Sequence, residues 1–283
     1  MYVLLNITLC SNVILKVAKD FITSQAKFLQ NISLLISKIE TENLFLLPFP
    51  FHKKILCMKL TYYGHASFAV EVEGKTILFD PFISPNPQAK HIDINSIKAD
   101  FIFLSHGHGD HVADVVAIAK RTNALCVAAA EVANWLEKQD VEKVHGMNHG
   151  GPIKFDFGTA RGVSAIHSSS LPDGSYGGNP MGFVFKTNSG NFYFAGDTAL
   201  TLDMRLIPMW AKLDFAVLPI GGNFTMDVAD AIKAADFVQC NKIVGIHYNT
   251  FPPITIDTEK AKASFAAASK TLLLPGIGET IDV

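Results

Sequence analysis

Ser105-His106-Gly107-His108-Gly109-Asp110-His111 directly follows the apolar run Phe101-Ile102-Phe103-Leu104. A short, fully apolar run suits a buried strand, so three imidazoles and a carboxylate stand at that strand's carboxyl end. Histidine is seldom wanted in a core, and neighbouring imidazoles repel once protonated. A metal ion removes the conflict, because it binds neutral imidazole nitrogens and carboxylate oxygens. Gly107 and Gly109 are expected to let the loop bend so that its side chains converge. One loop seldom completes a metal site, so further ligands are expected at other strand ends.

Working outward, His167 ends the strand-like run 160–166 and His247 ends the run 242–246. Asp197 stands just beyond the run 192–195. Each is weak alone, but together four strand ends carry metal-competent groups. Further strand patterns lie at 59–63, 68–72, 76–79, 125–129, 153–155, 181–186, 215–219 and 271–274. Helical patterns lie at 112–120, 131–138, 228–238 and 259–269. Hairpins beside β-α crossovers predict an α/β layer architecture with mixed sheets. With no repeat and no linker after residue 58, one domain is expected there.

The pattern His106-x-His108-x-Asp110-His111, followed in order by His167, Asp197 and His247, resembles the metallo-β-lactamase superfamily. The likeness covers essentially all of residues 58–283. Thr61-Tyr62-Tyr63-Gly64-His65-Ala66-Ser67-Phe68, Ile77-Leu78-Phe79-Asp80-Pro81-Phe82, Ala195-Gly196-Asp197-Thr198 and Ile246-His247-Tyr248-Asn249-Thr250-Phe251-Pro252 are similar to its bacterial metal-dependent hydrolases near the ascorbate-phosphate lactonases. The resemblance implies an αββα four-layer sandwich with the site at one edge. It also implies two divalent metal ions, one held by His106, His108 and His167, the other by Asp110, His111 and His247, with Asp197 bridging. Such a ligand set suits zinc, with manganese, iron or nickel as alternatives. The expected chemistry is attack by a metal-bridged hydroxide on a small ester, lactone or phosphoester. The rival activities are a phosphodiesterase or nuclease of the same fold, a di-iron redox enzyme, and a metal-binding module without turnover. The redox relatives usually carry glutamate where His108 stands, together with a flavodoxin-like module for which there is no room.

Asp110 and His65 are the catalytic candidates. Asp110 would take the proton of the nucleophile. His65 is expected near the site mouth, donating to the leaving group or binding a substrate anion. Asp80, at a strand end, is a candidate acceptor for the second nitrogen of a ligand imidazole. The Ser- and Gly-rich stretch 168–180 reads as a flexible substrate lid, and Gly221-Gly222-Asn223 as a substrate or anion loop. His145 and His149 are expected in a solvated loop over 144–151, and His52 and His91 in solvent. Cys126 and Cys240 read as buried hydrophobes, with no disulfide framework.

Composition divides the chain near Met58. All 20 glycines lie after residue 63, and residues 1–57 carry six lysines against three carboxylates. The remaining 226 residues carry 18 basic and 23 acidic side chains. The expected domains are an extension over 1–57, outside the fold, and a hydrolase domain over 58–283. Met58 reads as a natural start, with an N-terminal apolar anchor as the rival reading of the extension. The acidic body lacks a Lys/Arg cluster, which counts against nucleic acid. The expected partner is a small-molecule substrate, with a homo-oligomer open, no membrane contact unless 1–57 is an anchor, and a cytoplasmic location.

Overall fold

The computed structural model describes residues 23–28, 30–33 and 58–283. Residues 23–28 and 30–33 are helical and exposed; the other expectations for 1–57, including His52, lie outside the described residues. The chain divides into two compact units, Met1–Lys54 and Ile55–Val283. Among the described residues no helix is long and apolar enough to cross a membrane.

The second unit starts with an antiparallel meander of β1 (Lys59–Gly64), β2 (Ser67–Val72) and β3 (Lys75–Phe79). β4 (Phe101–Phe103), β5 (Leu125–Ala129) and β6 (Val144–Met147) join it in parallel. β7 (Ile153–Phe155), β8 (Gly158–Ser164), β9 (Met181–Lys186) and β10 (Asn191–Phe194) form the antiparallel half of a second sheet. β11 (Phe215–Pro219), β12 (Lys242–Ile246) and β13 (Thr271–Leu273) extend it in parallel, and β14 (Thr280–Asp282) returns to pair with β1. The result is two seven-stranded mixed sheets, flanked by helices as the αββα expectation requires.

Alternation along the strands builds the layers. Phe192 and Phe194 face the inter-sheet core with Phe215 and Val217, while Tyr193, Ala216 and Leu218 face the opposite way. There they meet the helices Val228–Phe237 and Thr258–Ala267 through Ala231, Ala234 and Phe265. The inter-sheet core is mostly phenylalanine. Phe79 stacks on Phe68 at 4.4 Å and meets Phe194 edge-on at 5.2 Å, and Phe103 meets Phe183 at 5.2 Å. Each such pair adds about 0.5–1.5 kcal/mol beyond its area burial.

Two strands were not expected. Val144-His145-Gly146-Met147 forms β6 rather than a loop, with His145 edge-on to Phe155 at 6.1 Å. Its pairing with β5 decides the matter, since its composition is poor for a strand. β14 is a three-residue edge whose register with β1 crosses more than 200 residues of chain. Cys126 and Cys240 are buried and free, as expected.

Candidate metal centre

The chain direction sets the site. In the first sheet the turn after β1, the end of β3 and the end of β4 share one edge; in the second, the ends of β8, β10, β11 and β12 do. Two backbone bonds clasp these edges together: Met181 N–H donates to Ser105 O at 2.9 Å and His247 N–H to His65 O at 2.8 Å. His65, Asp80 and His247 have left-handed backbone, with φ of 55°, 39° and 54°. Non-glycine residues held there cost on the order of 1–3 kcal/mol each and concentrate at functional sites. Gly196 has φ of 63°, and a Cβ on it would lie 2.8 Å from the Ser105 Cβ, so the Asp197 loop can sit against the histidine loop only with glycine there.

All seven expected ligands converge. His106 Nε2 lies 3.0 Å from His108 Nδ1, and the His167 ring centre is 5.1 and 5.2 Å from those of His106 and His108. Asp110 and His111 sit on the helical turn Gly109–Val112. Ligand-competent atoms of His65, Asp110, His111 and His247 lie within 4.8 Å of one another, as do those of His106, His108 and His167. Asp197 Oδ2 joins the two groups, at 2.9 Å from His247 Nε2, 3.3 Å from His111 Nε2 and 3.7 Å from His167 Nε2.

Partners behind the ligands orient them. Asp80 Oδ2 accepts from His111 Nδ1 at 2.7 Å and from Ser105 Oγ at 2.5 Å. Ser105 Oγ lies 2.9 Å from His106 Nδ1. One buried carboxylate therefore turns the Nε2 of His111 inward directly and that of His106 through a hydroxyl. The acceptor role expected of Asp80 is in place; the relay through Ser105 was not foreseen, although Ser105 stands inside the motif. Thr198 was missed as well. Its Oγ1 accepts from Ile166 N–H at 2.9 Å, tying the His167 loop to Asp197.

Electrostatics make a place for a cation. Burial pushes His106, His108 and His167 below the ordinary imidazole range, and the His111 charge lowers them further. His111 goes the other way: burial lowers it, but Asp197 and Asp80 hold it well above its usual value. Burial raises Asp197, yet His111 and His247 keep it well below the carboxylate range. Burial also lifts Asp80 above its ordinary value. His111 thus stands between two carboxylates, Asp80 and Asp197. His111 Nε2, Asp197 Oδ1 and His247 Nδ1 are buried without a hydrogen-bond partner among the described residues. Such orphaned polar atoms are costly, and a divalent ion amid this nitrogen and oxygen donor set would satisfy His111 Nε2 and Asp197 Oδ1.

His65 departs from expectation. It is 1% exposed and lies beneath the site, not at its mouth. Nε2 is 3.2 Å from Asp110 Oδ2 and Nδ1 is 3.0 Å from Thr250 Oγ1. Phe82 and Phe251 stand edge-on to its ring at 5.6 and 5.3 Å. Burial lowers its pKa to about 4, so the ring is neutral and donates to Asp110. Burial raises Asp110, but the His65 hydrogen bond and the His111 charge bring it below the ordinary range.

Other expectations are revised. Neither Gly107 nor Gly109 has a left-handed φ; Gly107 is needed because Leu171 and the Ser170 carbonyl press on it. The 168–180 stretch is not a free lid. Its Ser169 Oγ accepts from Gly107 N–H at 3.1 Å, and Leu171 is buried in the inter-sheet core. A Cβ on Gly221 would collide with the His247 carbonyl, so that loop abuts a neighbouring strand end. His149 Nε2 bonds Pro180 O at 2.9 Å, and exposed His91 bonds Ile277 O at 3.2 Å.

The sequence profile of the beta-lactamase superfamily domain matches residues 59–247. The chain belongs to the beta-lactamase superfamily. Its relatives there are UPF0173 metal-dependent hydrolases. The Flavobacterium johnsoniae member is 58% identical over 226 residues, covering 80% of this chain and 100% of that protein. The Christiangramia forsetii member is 53% identical over 227 residues, with the same coverage. Among solved structures, the metallo hydrolase Igni18 of Ignicoccus hospitalis matches with a TM-score of 0.73 and 34% identity, over 80% of this chain and 98% of its own. An isothiocyanate hydrolase from Delia radicum gut bacteria shares the fold, with a TM-score of 0.65 and 20% identity over 80% of this chain and 99% of its own.

Proposed function

We propose that this metal-dependent hydrolase cleaves a small uncharged ester or lactone at two metal ions, zinc being the best match to the donors. His106, His108 and His167 would hold one ion; Asp110, His111 and His247 the other; Asp197 would serve both. The observation that carries this reading is Asp197 Oδ2, which faces histidines of both groups within 3.7 Å. Bound metal supplies a Lewis acid for the scissile oxygen and lowers the pKa of water toward neutrality. The protein supplies the rest. Asp110 is the most accessible carboxylate of the cluster, its side chain 33% exposed, and accepts the proton of the attacking water. His65 holds Asp110 ionised and aimed, which makes it a positioning residue rather than a donor to the leaving group. Asp80 and Ser105 fix the imidazole tautomers.

Neutral substrates are favoured because the site carboxylates pair only with histidines; no described lysine or arginine bonds to them. A phosphoester would have the metal ions alone for its charge, without the arginine or lysine contacts that commonly hold phosphates. Metal analysis of the purified protein should give nearly two equivalents, and a panel of lactones, carboxylic esters, thioesters and phosphodiesters should show turnover with the first two. Absence of metal, or turnover of phosphodiesters alone, overturns the proposal.

A further inference from the structure

Large apolar side chains exposed on the Ile55–Val283 unit fall in one stretch of sequence. Among its described residues they are Ile166, Tyr176, Leu202, Leu206, Met209 and Phe224. Scattered singly, exposed apolar residues need no explanation. Three of these stand on connections that hydrogen bonds tie to the backbone around the candidate ligands. Ile166 precedes His167; its N–H donates to Thr198 Oγ1 at 2.9 Å and its carbonyl accepts from Ala199 N–H at 3.1 Å. Phe224 lies in a loop closed by Gly222 N–H to Met226 O at 3.0 Å, and Met226 N–H donates to Thr198 O at 2.9 Å. Tyr176 is bridged to Ser170. Its neighbour Gly177 donates to Ser169 O at 3.1 Å, and Ser169 in turn holds Gly107 between His106 and His108.

Three separate connections tied to the centre by hydrogen bonds thus each carry one exposed apolar side chain, Ile166, Tyr176 and Phe224, exposed by 56%, 62% and 55%. Further in, half-buried Phe251 continues the apolar lining next to His65. We propose that Ile166, Tyr176 and Phe224 form a collar that receives an alkyl or aryl group of the substrate. This rests on the hydrolase reading above and narrows it to esters or lactones with an apolar tail. Full burial of a methylene is equivalent to about 0.8 kcal/mol, or roughly fourfold. A collar that covers one side of the tail should give about half of that free energy, roughly twofold per methylene.

The test uses the full metal-loaded chain with p-nitrophenyl acetate, butyrate and octanoate. We expect kcat/KM to rise roughly twofold per added methylene. Phe224→Ser and Ile166→Ser should each lower the octanoate-to-acetate ratio at least about threefold, through KM. A second readout avoids turnover: calorimetric binding of 2-decanone and 2-butanone, uncharged ketones, to chelator-treated protein. Decanone should bind at least about tenfold more tightly, and Phe224→Ser should remove most of the difference. A flat ester series with equal ketone affinities overturns the collar and leaves the hydrolase reading intact. Selective ketone binding without turnover of any ester or lactone supports the collar and overturns the reading it rests on. If Phe224→Ser instead converts a wild-type oligomer to monomer with an unchanged chain-length ratio, the patch is a face between copies and the proposal fails.

Discussion

The two sheets contribute to one centre in opposite ways. The first supplies His106, His108, Asp110 and His111 from a single loop, with Asp80 behind them and His65 beneath. The second supplies His167, Asp197 and His247 from three strand ends 30 and 50 residues apart. The first group is orientated by local partners; the second depends on the sheets being clasped at Met181 to Ser105 and His247 to His65. A contiguous loop sets direction, while dispersed residues close the site only once the sandwich has formed. Asp197 is where the two contributions meet.

The most damaging change should therefore fall on the second sheet. Asp197→Ala removes the oxygen that both groups face and leaves His111 with Asp80 as its remaining carboxylate. Metal content should fall from nearly two equivalents toward one, and kcat/KM by roughly a thousandfold or more, since losses at such units reach that size. Elemental analysis and circular dichroism of the same sample separate metal loss from unfolding. Two retained equivalents with full activity would break the picture of a shared carboxylate.

Asp80→Asn tests the first sheet's local support. The amide cannot accept from His111 and Ser105 as a carboxylate does, so both groups should weaken together, by about 10–100-fold in metal affinity. Competition with a chromogenic chelator measures this. Ser105→Ala should loosen only the His106 group. If Asp80→Asn affects one equivalent alone, the relay through Ser105 does not couple the sites.

His65→Ala sharpens the same comparison with a smaller effect. His65 belongs to the first sheet by sequence, yet its backbone carbonyl clasps His247 of the second. Losing its hydrogen bond should reduce kcat by about tenfold with both metals retained. The sign of the pH effect follows from Asp110: the bond from His65 lowers its pKa, so without that bond the pKa rises and the acid limb of the rate profile moves to higher pH. An unmoved acid limb would reduce His65 to a packing role.

How much of this was legible depended on distance along the chain. The 105–111 loop could be read because its residues are adjacent, and β5, β11 and β12 match their expected bounds because runs that are almost wholly apolar leave little choice. The burial of His65 could not be read, because its partners Asp110 and Thr250 lie 45 and 185 residues away. Likewise β6 owes its strand conformation to β5 rather than to its own composition. Thr250 and Thr198 stood inside recognisable stretches, yet nothing local shows that their hydroxyls hold other loops.

The smallest test returns to the second sheet, on its helix-covered side. Tyr193 alternates with Phe192 and Phe194, so its ring points away from the phenylalanine core. It is fully buried, its hydroxyl has no hydrogen-bond partner among the described residues, and burial pushes its pKa well up. A hydroxyl taken from water without a replacement bond costs about 1–3 kcal/mol, whereas the ring itself is favourably packed. Tyr193→Phe keeps the ring and deletes the orphaned group, so the variant should be more stable by about 1 kcal/mol, or a few degrees in Tm. Activity should not change, because the residue faces the helices rather than the metal edge. Thermal melts of the two proteins decide it: a loss of about 1 kcal/mol would mean that the hydroxyl is bonded, for instance to a buried water, and that this face is as fully satisfied as the loop that holds the histidines.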